Sequence, residues 1–165
     1  MGDRPVNRIS AQVVEDTWKE VGAMPPRQAL KLAKQIQAQA PVLPVYLVAC
    51  GGDMFNREER ELLNYLGIVV WRIMSKGDSP LPEITPEKME AADDANMKMV
   101  EYLEGEPPAD LVKTIGKVLN NYTQPEVLRY VLDALMEPEE GSQVREEYTG
   151  MMFLYLKTVI DCLDG

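Results

Sequence analysis

Residues 57–76, REERELLNYLGIVVWRIMSK, change from charged to almost wholly apolar within a few positions. A surface helix keeps its apolar residues on one stripe, whereas a helix that is apolar on most sides is surrounded by protein. Asn56 and Glu59 have the capping-box spacing, and Gly77 stands where a left-handed C-cap would be. The sequence therefore predicts a buried central helix about 30 Å long. Within it, Gly67 would permit the close approach of a neighbouring helix.

A second segment, from about Gln143 to Leu163, also carries apolar residues beyond a single stripe. Val144, Tyr148 and Met152 begin one side at helical spacing, and four further apolar residues widen that side: Phe153, Leu154, Leu156 and Ile160. We expect this C-terminal helix, residues 143–163, to lie against the central helix in the middle of the fold.

Shorter segments with helical spacing fill the rest of the chain and are separated by Gly and Pro. They are predicted at residues 10–21, 26–40, 44–50, 85–103, 111–122 and 125–136. In the helix at 26–40, Leu30 would lie on the buried stripe, and the helix at 44–50 would be short and buried. Before the helix at 125–136, Thr123–Glu126 has the spacing of a capping box. A strand at 41–50 is the alternative, but it has no convincing partner strand in the sequence.

These segments predict an all-α, single-domain bundle of about seven or eight helices over residues 8–165, after a flexible leader at 1–7. From Pro107 onward, helices of about 14 residues joined by short turns resemble, in a general way, the antiparallel hairpins of HEAT-like repeats. No fixed repeat signature is present, so a compact bundle is the preferred architecture.

The charge of the chain is unevenly distributed. Residues 1–50 hold six basic and four acidic side chains, whereas residues 51–165 hold eleven basic and twenty-three acidic ones, for a net charge of −10. An acidic body disfavours nucleic acid as a partner, because such binding depends on neutralising phosphates. It could instead face a basic partner, and the basic N-terminal portion could pack on it within or between subunits.

The sequence also predicts the compartment. It contains no apolar run of 18 residues, so we expect no membrane span. The start, MGDRPVNRIS, lacks the apolar core of a signal peptide, and the two cysteines are far apart. We therefore expect a cytoplasmic protein, and Cys50, at the end of an apolar run, is predicted to be an inert core thiol rather than a reactive one.

The chain contains no histidine, which excludes the Ser-His-Asp and Cys-His catalytic arrangements and histidine-based zinc sites. Neither of the two glycine-rich nucleotide-binding loops is present. We therefore predict no catalytic residue and no cofactor, and consider an enzyme the less favoured interpretation.

Two pairs of carboxylates provide the enzymatic alternative. Glu58 and Glu61 are one helical turn apart, as are Glu90 and Asp93, and two such pairs on facing helices could bind Mg²⁺ through oxygen. The Glu-x-x-Glu and Glu-x-x-Asp motifs resemble those of the MazG-type nucleoside triphosphate pyrophosphohydrolases, which are all-α enzymes. The resemblance covers only about residues 58–93, and it implies an Mg²⁺-dependent hydrolase with these four residues as metal ligands. The structural interpretation is that these acids complement helix dipoles on a solvated surface.

Three residues are candidates for contact with a partner. Trp18 lies on a thin, Ala-rich first hairpin, where it could anchor an interface. Met89 and Met97 lie on the same face of a predicted helix, near acidic residues. They could line a groove for a basic amphipathic peptide. Packing in the core is the structural interpretation of all three. Taken together, the residues predict a non-enzymatic adaptor or regulatory domain that binds a protein partner or associates with itself, for example as a homodimer.

Overall fold

The computed structural model describes residues 8–103, 116–137 and 140–164, and every regular element in that part of the chain is helical. The helices are α1 (Ala11–Gly22), α2 (Pro26–Gln39), α3 (Val42–Gly51), α4 (Arg57–Met74), α5 (Pro86–Leu103), α6 (residues 116–121), α7 (Pro125–Met136) and α8 (Glu146–Asp164). The predicted all-α bundle is confirmed. The predicted leader at 1–7, the start of the helix predicted from 111 and the start of the hairpins predicted from 107 lie outside the described residues.

The beginning of α4 has the predicted capping box. The Asn56 side chain accepts a hydrogen bond from the Glu59 backbone N–H at 2.9 Å, and the Glu59 carboxylate accepts one from the Asn56 N–H at 2.8 Å. The hydroxyls of Ser10 and Thr85 likewise accept from the backbone three residues on, at the starts of α1 and α5. Each such cap typically stabilises its helix by about 1 kcal/mol.

The predicted left-handed C-cap at Gly77 is wrong. Among the described residues only Gly52 and Gly141 have positive φ. The last turn of α4 is instead closed by right-handed backbone, with the Ser75 N–H donating to the Trp71 carbonyl and the Gly77 N–H to the Met74 carbonyl. These bonds satisfy the terminal carbonyls, so the helix ends without a left-handed residue.

The two strongly apolar helices pack against each other, as predicted. α4 and α8 are in extensive contact, and α5 and α7 also pack on α8. Val69, Val70 and Ile73 on α4 are fully buried, as are Leu156 and Val159 on α8. Burial of side chains of this size contributes roughly 1.5–3 kcal/mol each, so this contact contributes substantially to stability.

Gly67 lies where α3 crosses α4. A Cβ built on Gly67 would be 2.4 Å from Cδ1 of Leu47, well inside van der Waals contact. Leu47 is itself buried. The expectation that Gly67 permits the close approach of a neighbouring helix is confirmed, and the neighbour is α3.

Two predictions about the thinner helices are wrong in detail. The segment after Pro41 is a helix, but it is buried on one face only, since Val45 and Val48 are 68% and 74% exposed. It sits at the edge of the bundle, so apolar composition alone did not determine its burial. On α2 the buried side chain is Leu32, whereas Leu30 is 57% exposed.

None of the helices in the described ranges combines the length and the apolar character that a membrane span requires.

Candidate functional site

A surface groove runs along α7, with α1 on one side and the start of α4 on the other. Its first part has a volume of about 410 Å³ and lies between α1 and α7. Its second part, about 630 Å³, lies between α4, α7 and residues 140–144. Both parts are lined by Tyr130, Ala134 and Glu137, so they adjoin. We call this depression the α7 groove; it follows α7 from Glu126 to Glu137, about 16 Å of helix.

Three aromatic side chains form the apolar part of the groove. The Trp18 and Tyr130 rings stack with centroids 6.5 Å apart and planes inclined by 17°. Trp18 remains 39% exposed, and Tyr65 lies on the α4 side with a similar exposure. Burial raises the pKa of Tyr65 and of Tyr130, so both hydroxyls stay neutral near pH 7. The structure thus places Trp18, a candidate for partner contact, in an open groove.

The lining of the α7 groove is strongly acidic. In the part of the chain that the structure describes, it contains seven carboxylates and a single basic side chain, Arg129. Two of the seven are ion-paired, Glu15 with Lys19 at 2.9 Å and Glu61 with Arg57 at 3.0 Å. The carboxylates belong to Glu15, Glu58, Glu61, Glu126, Asp133, Glu137 and Glu140. A concave surface lined by one sign of charge raises the local concentration of ligands of the opposite sign.

A buried glutamine holds α1 beside α7. The Gln124 side chain accepts a hydrogen bond from the Ile9 N–H at 3.0 Å and donates one to the Asp164 carboxylate at 2.9 Å. The predicted capping box at Thr123–Glu126 is therefore wrong, because the start of α7 has no side-chain cap and the Thr123 hydroxyl donates to Asp164 instead. These side chains fix the end of the groove.

The far end of α1 is held by ion pairs. The Glu20 carboxylate lies 3.1 Å from the Arg72 guanidinium and 3.2 Å from the Lys76 ammonium, both of them just at or beyond the end of α4. The hydrogen bond from Arg72 lowers the pKa of Glu20. The wall formed by α1 is thus fixed at both ends, and Trp18 is held between these two attachments.

The opposite wall is fixed by the fully buried Glu59. Its carboxylate accepts hydrogen bonds from the Arg145 guanidinium at 2.7 and 3.1 Å and from the Arg145 backbone N–H at 2.8 Å. This guanidinium is the main cause that lowers the pKa of Glu59 to about 2. The Gln143 N–H also donates to Glu58 at 2.6 Å. Because residues 143–145 are bound to α4 in this way, α8 begins at Glu146 rather than at the predicted Gln143.

The four carboxylates of the hydrolase alternative do not converge on one site. Glu58 accepts from the Gln143 N–H, Glu61 pairs with Arg57 at 3.0 Å, and Asp93 accepts from the Tyr46 hydroxyl at 2.6 Å, while Glu90 is exposed. Within residues 8–103, 116–137 and 140–164, no three His, Cys, Asp or Glu side chains are arranged to hold a metal ion. The structure brings Glu58 and Glu61 together at the α7 groove but places Asp93 against α3.

The methionine candidates lie away from the α7 groove. Met89 is buried, with its sulfur 3.7 Å from Sγ of Cys162, so it belongs to the core rather than to an open groove. Met97 is partly buried against the same core. Both cysteines are free thiols, and burial raises the pKa of Cys50 to about 12 and that of Cys162 to about 11. A thiol with a raised pKa is a poor nucleophile near pH 7.

A buried polar network between α5 and α8 was not predicted from the sequence. The Asn96 amide donates to the Thr158 hydroxyl at 2.8 Å and to Asp161 at 3.0 Å, and its oxygen accepts from the Lys157 ammonium at 2.8 Å. Tyr122 donates to Asp161 as well. Lys157 and Asp161, one turn apart in an otherwise apolar helix, were the available signal. Lys157 also pairs with Asp161 at 3.0 Å. The buried side-chain nitrogen and oxygen atoms of the network are all paired, so it stabilises the fold rather than offering a reactive group.

No family model matches the chain, and no match was found among curated proteins or among solved structures.

Proposed function

We propose that this chain is a cytoplasmic, non-enzymatic interaction domain whose α7 groove binds a basic amphipathic helix of a protein partner. The observation that carries the proposal is that exposed aromatic rings and an acidic lining occur together in one groove. Amphipathic helices bind in grooves of this kind by placing apolar residues on the floor and polar residues at the rim. Nucleic acid is disfavoured, because its phosphates would meet carboxylates.

The roles of the groove residues follow from their surroundings. Trp18 and Tyr130 would provide the apolar contact, since large aromatic side chains dominate the energy of interfaces. The neighbouring Lys19 ammonium, which pairs with Glu15 at 2.9 Å, lies 5.7 Å from the Trp18 ring centroid. Asp133 and Glu137, both exposed, would attract the basic residues of the partner and set its orientation. Two free thiols are consistent with a reducing compartment.

The proposal can be tested by tryptophan fluorescence, because Trp18 lies in the groove and Trp71 is buried in the core. The probe is a synthetic 14-residue helix of leucine and lysine in amphipathic order. We expect a saturable change in emission that is absent in Trp18→Phe. A peptide of the same composition, scrambled so that its leucines do not align, should bind roughly tenfold more weakly, equivalent to about 1.4 kcal/mol.

A pair of charge-matched variants localises the binding. Asp133→Asn with Glu137→Gln removes two groove carboxylates, and Asp94→Asn with Glu90→Gln removes two exposed ones on α5. The first variant should weaken binding of the amphipathic peptide roughly three- to tenfold, and the second should leave it unchanged. Equal weakening by both variants, or equal binding of the scrambled peptide, would contradict a specific groove.

A further inference from the structure

The outer face of α2 carries an unused basic stripe. Arg27, Leu30, Lys31 and Lys34 follow at i, i+3, i+4 and i+7, so they share one side of the helix, and all four are exposed. The sequence of α2 contains no acidic residue. None of the three basic side chains takes part in an ion pair within the described part of the chain. We call this face the α2 stripe.

The stripe matches the α7 groove in chemistry and size. Arg27 to Lys34 spans about 10 Å of helix, and the groove follows about 16 Å of α7. The exposed Leu30 lies between the basic residues, as an apolar anchor for the Trp18 and Tyr130 rings would. The three cations would meet the carboxylates of the lining, which has Arg129 as its only basic side chain among the described residues.

The stripe cannot reach the groove of its own chain. Only residues 23–25 separate α1 from α2. Leu32 and Ile36 fix the opposite side of α2 in the core, where it packs against α3 and α4. The α2 stripe therefore faces away from its own chain, and it can meet an α7 groove only on another molecule.

We infer that the α7 groove takes the α2 stripe of a second copy of this chain, an inference that rests on the proposed function of the groove. Every copy presents both surfaces, so two copies related by a twofold axis would form two identical contacts and close as a dimer. If the rotation that relates one copy to the next does not close into a ring, the same contact would give longer assemblies. In either case the groove and α2 are both required.

Sedimentation velocity tests the inference with a charge exchange. We expect the wild-type chain to self-associate at low ionic strength and to dissociate at about 0.5 M salt, where charges are screened. Lys31→Glu with Lys34→Glu should abolish self-association, and so should Asp133→Lys with Glu137→Lys. An equimolar mixture of the two variants should associate again, because the acidic stripe of the first variant then meets the basic groove of the second. Reversal of an exposed lysine outside both surfaces, Lys98→Glu, should change nothing.

The outcomes separate this inference from the proposed function. A wild-type chain that stays monomeric at every concentration, or a mixture that fails to associate although both variants retain the wild-type helical circular dichroism, overturns the inference. If the leucine–lysine peptide still binds in that case, the groove function stands and its partner is another protein. If the peptide also fails to bind, both proposals fall.

Discussion

Glu59 shows how one residue can serve two parts of the molecule. Its side chain closes the capping box of α4 and also binds Arg145, which lies 86 positions along the chain. The first role follows from local spacing and was predicted. The second depends on how the chain folds back, and no local pattern in the sequence indicates which cation will approach a given carboxylate.

The pKa of Glu59 makes this contact visible in the pH dependence of stability. Since the folded-state pKa, about 2, lies below the ordinary 4.5, the stabilisation is fully present above pH 4.5 and is lost as the pH falls towards 2. Arg145 is 40% exposed, so solvent screens part of its attraction to Glu59. We therefore expect the pair to stabilise the folded state by about 1–2 kcal/mol. Glu59→Gln can keep the capping box but loses the charge. Urea unfolding should give a larger free energy of unfolding for wild type than for this variant at pH 6. The difference between the two free energies should shrink by pH 2.

An exposed glutamate supplies the control for this measurement. Glu61 pairs with Arg57, and both side chains are largely exposed. Exposed ion pairs of this kind contribute little to stability. Glu61→Gln should therefore differ from wild type by less than about 0.5 kcal/mol at either pH. A difference between wild type and Glu59→Gln that does not change with pH would contradict the assigned role of the Glu59–Arg145 pair.

At the scale of helices, the crossing of α3 over α4 depends on the missing side chain at Gly67. Gly67→Ala gains helix propensity, but its Cβ would lie 2.4 Å from Cδ1 of the buried Leu47. Forcing Leu47 aside in a packed core typically costs 1–3 kcal/mol, more than the ~1 kcal/mol that alanine gains over glycine in a helix. We expect a net loss of roughly 1 kcal/mol in the free energy of unfolding, measured by urea denaturation.

Gly150 on α8 is the matched control, because nothing lies within 4 Å of a Cβ built there. Gly150→Ala should raise the free energy of unfolding by about 0.5–1 kcal/mol. In a Leu47→Ala background the penalty of Gly67→Ala should disappear, since the atom that it meets is gone. Equal effects of alanine at both glycines would show that the crossing does not depend on Gly67.

The helices also show how far the sequence determines the fold. Helix positions could be predicted because caps and apolar spacing are local, and the contact between α4 and α8 followed from their excess of apolar residues. The exposed face of α3 could not be predicted, because Val45 and Val48 are apolar like the buried Leu43 and Leu47 but face the other way. The ends of α4 and α8 were misplaced where tertiary hydrogen bonds override local signals.

At the scale of the whole molecule, the α7 groove joins residues that lie far apart in the sequence. Trp18 was a candidate for partner contact from its local sequence, but its neighbour Tyr130 and the facing Tyr65 come from other helices. The acidic excess of residues 51–165 was evident from composition, whereas its concentration along one side of α7 depends on packing. Sequence therefore predicts the chemistry of the site better than its position.

The Asn96 network connects α5 to α8, and its loss should destabilise the molecule as a whole. In Asn96→Leu the Lys157 ammonium loses the Asn96 oxygen at 2.8 Å but keeps Asp161 at 3.0 Å, and Asp161 loses the Asn96 amide as a donor. Losing these hydrogen bonds at buried polar groups costs about 1–3 kcal/mol. The matched change Asn64→Leu, at an exposed position of α4, should lie within about 0.5 kcal/mol of wild type. Adding Lys157→Met to Asn96→Leu should cost less than the two single changes together, because both changes remove the same hydrogen bond between Lys157 and Asn96. Urea unfolding of the four variants measures this coupling, and strictly additive losses would mean that Asn96 and Lys157 stabilise the bundle independently.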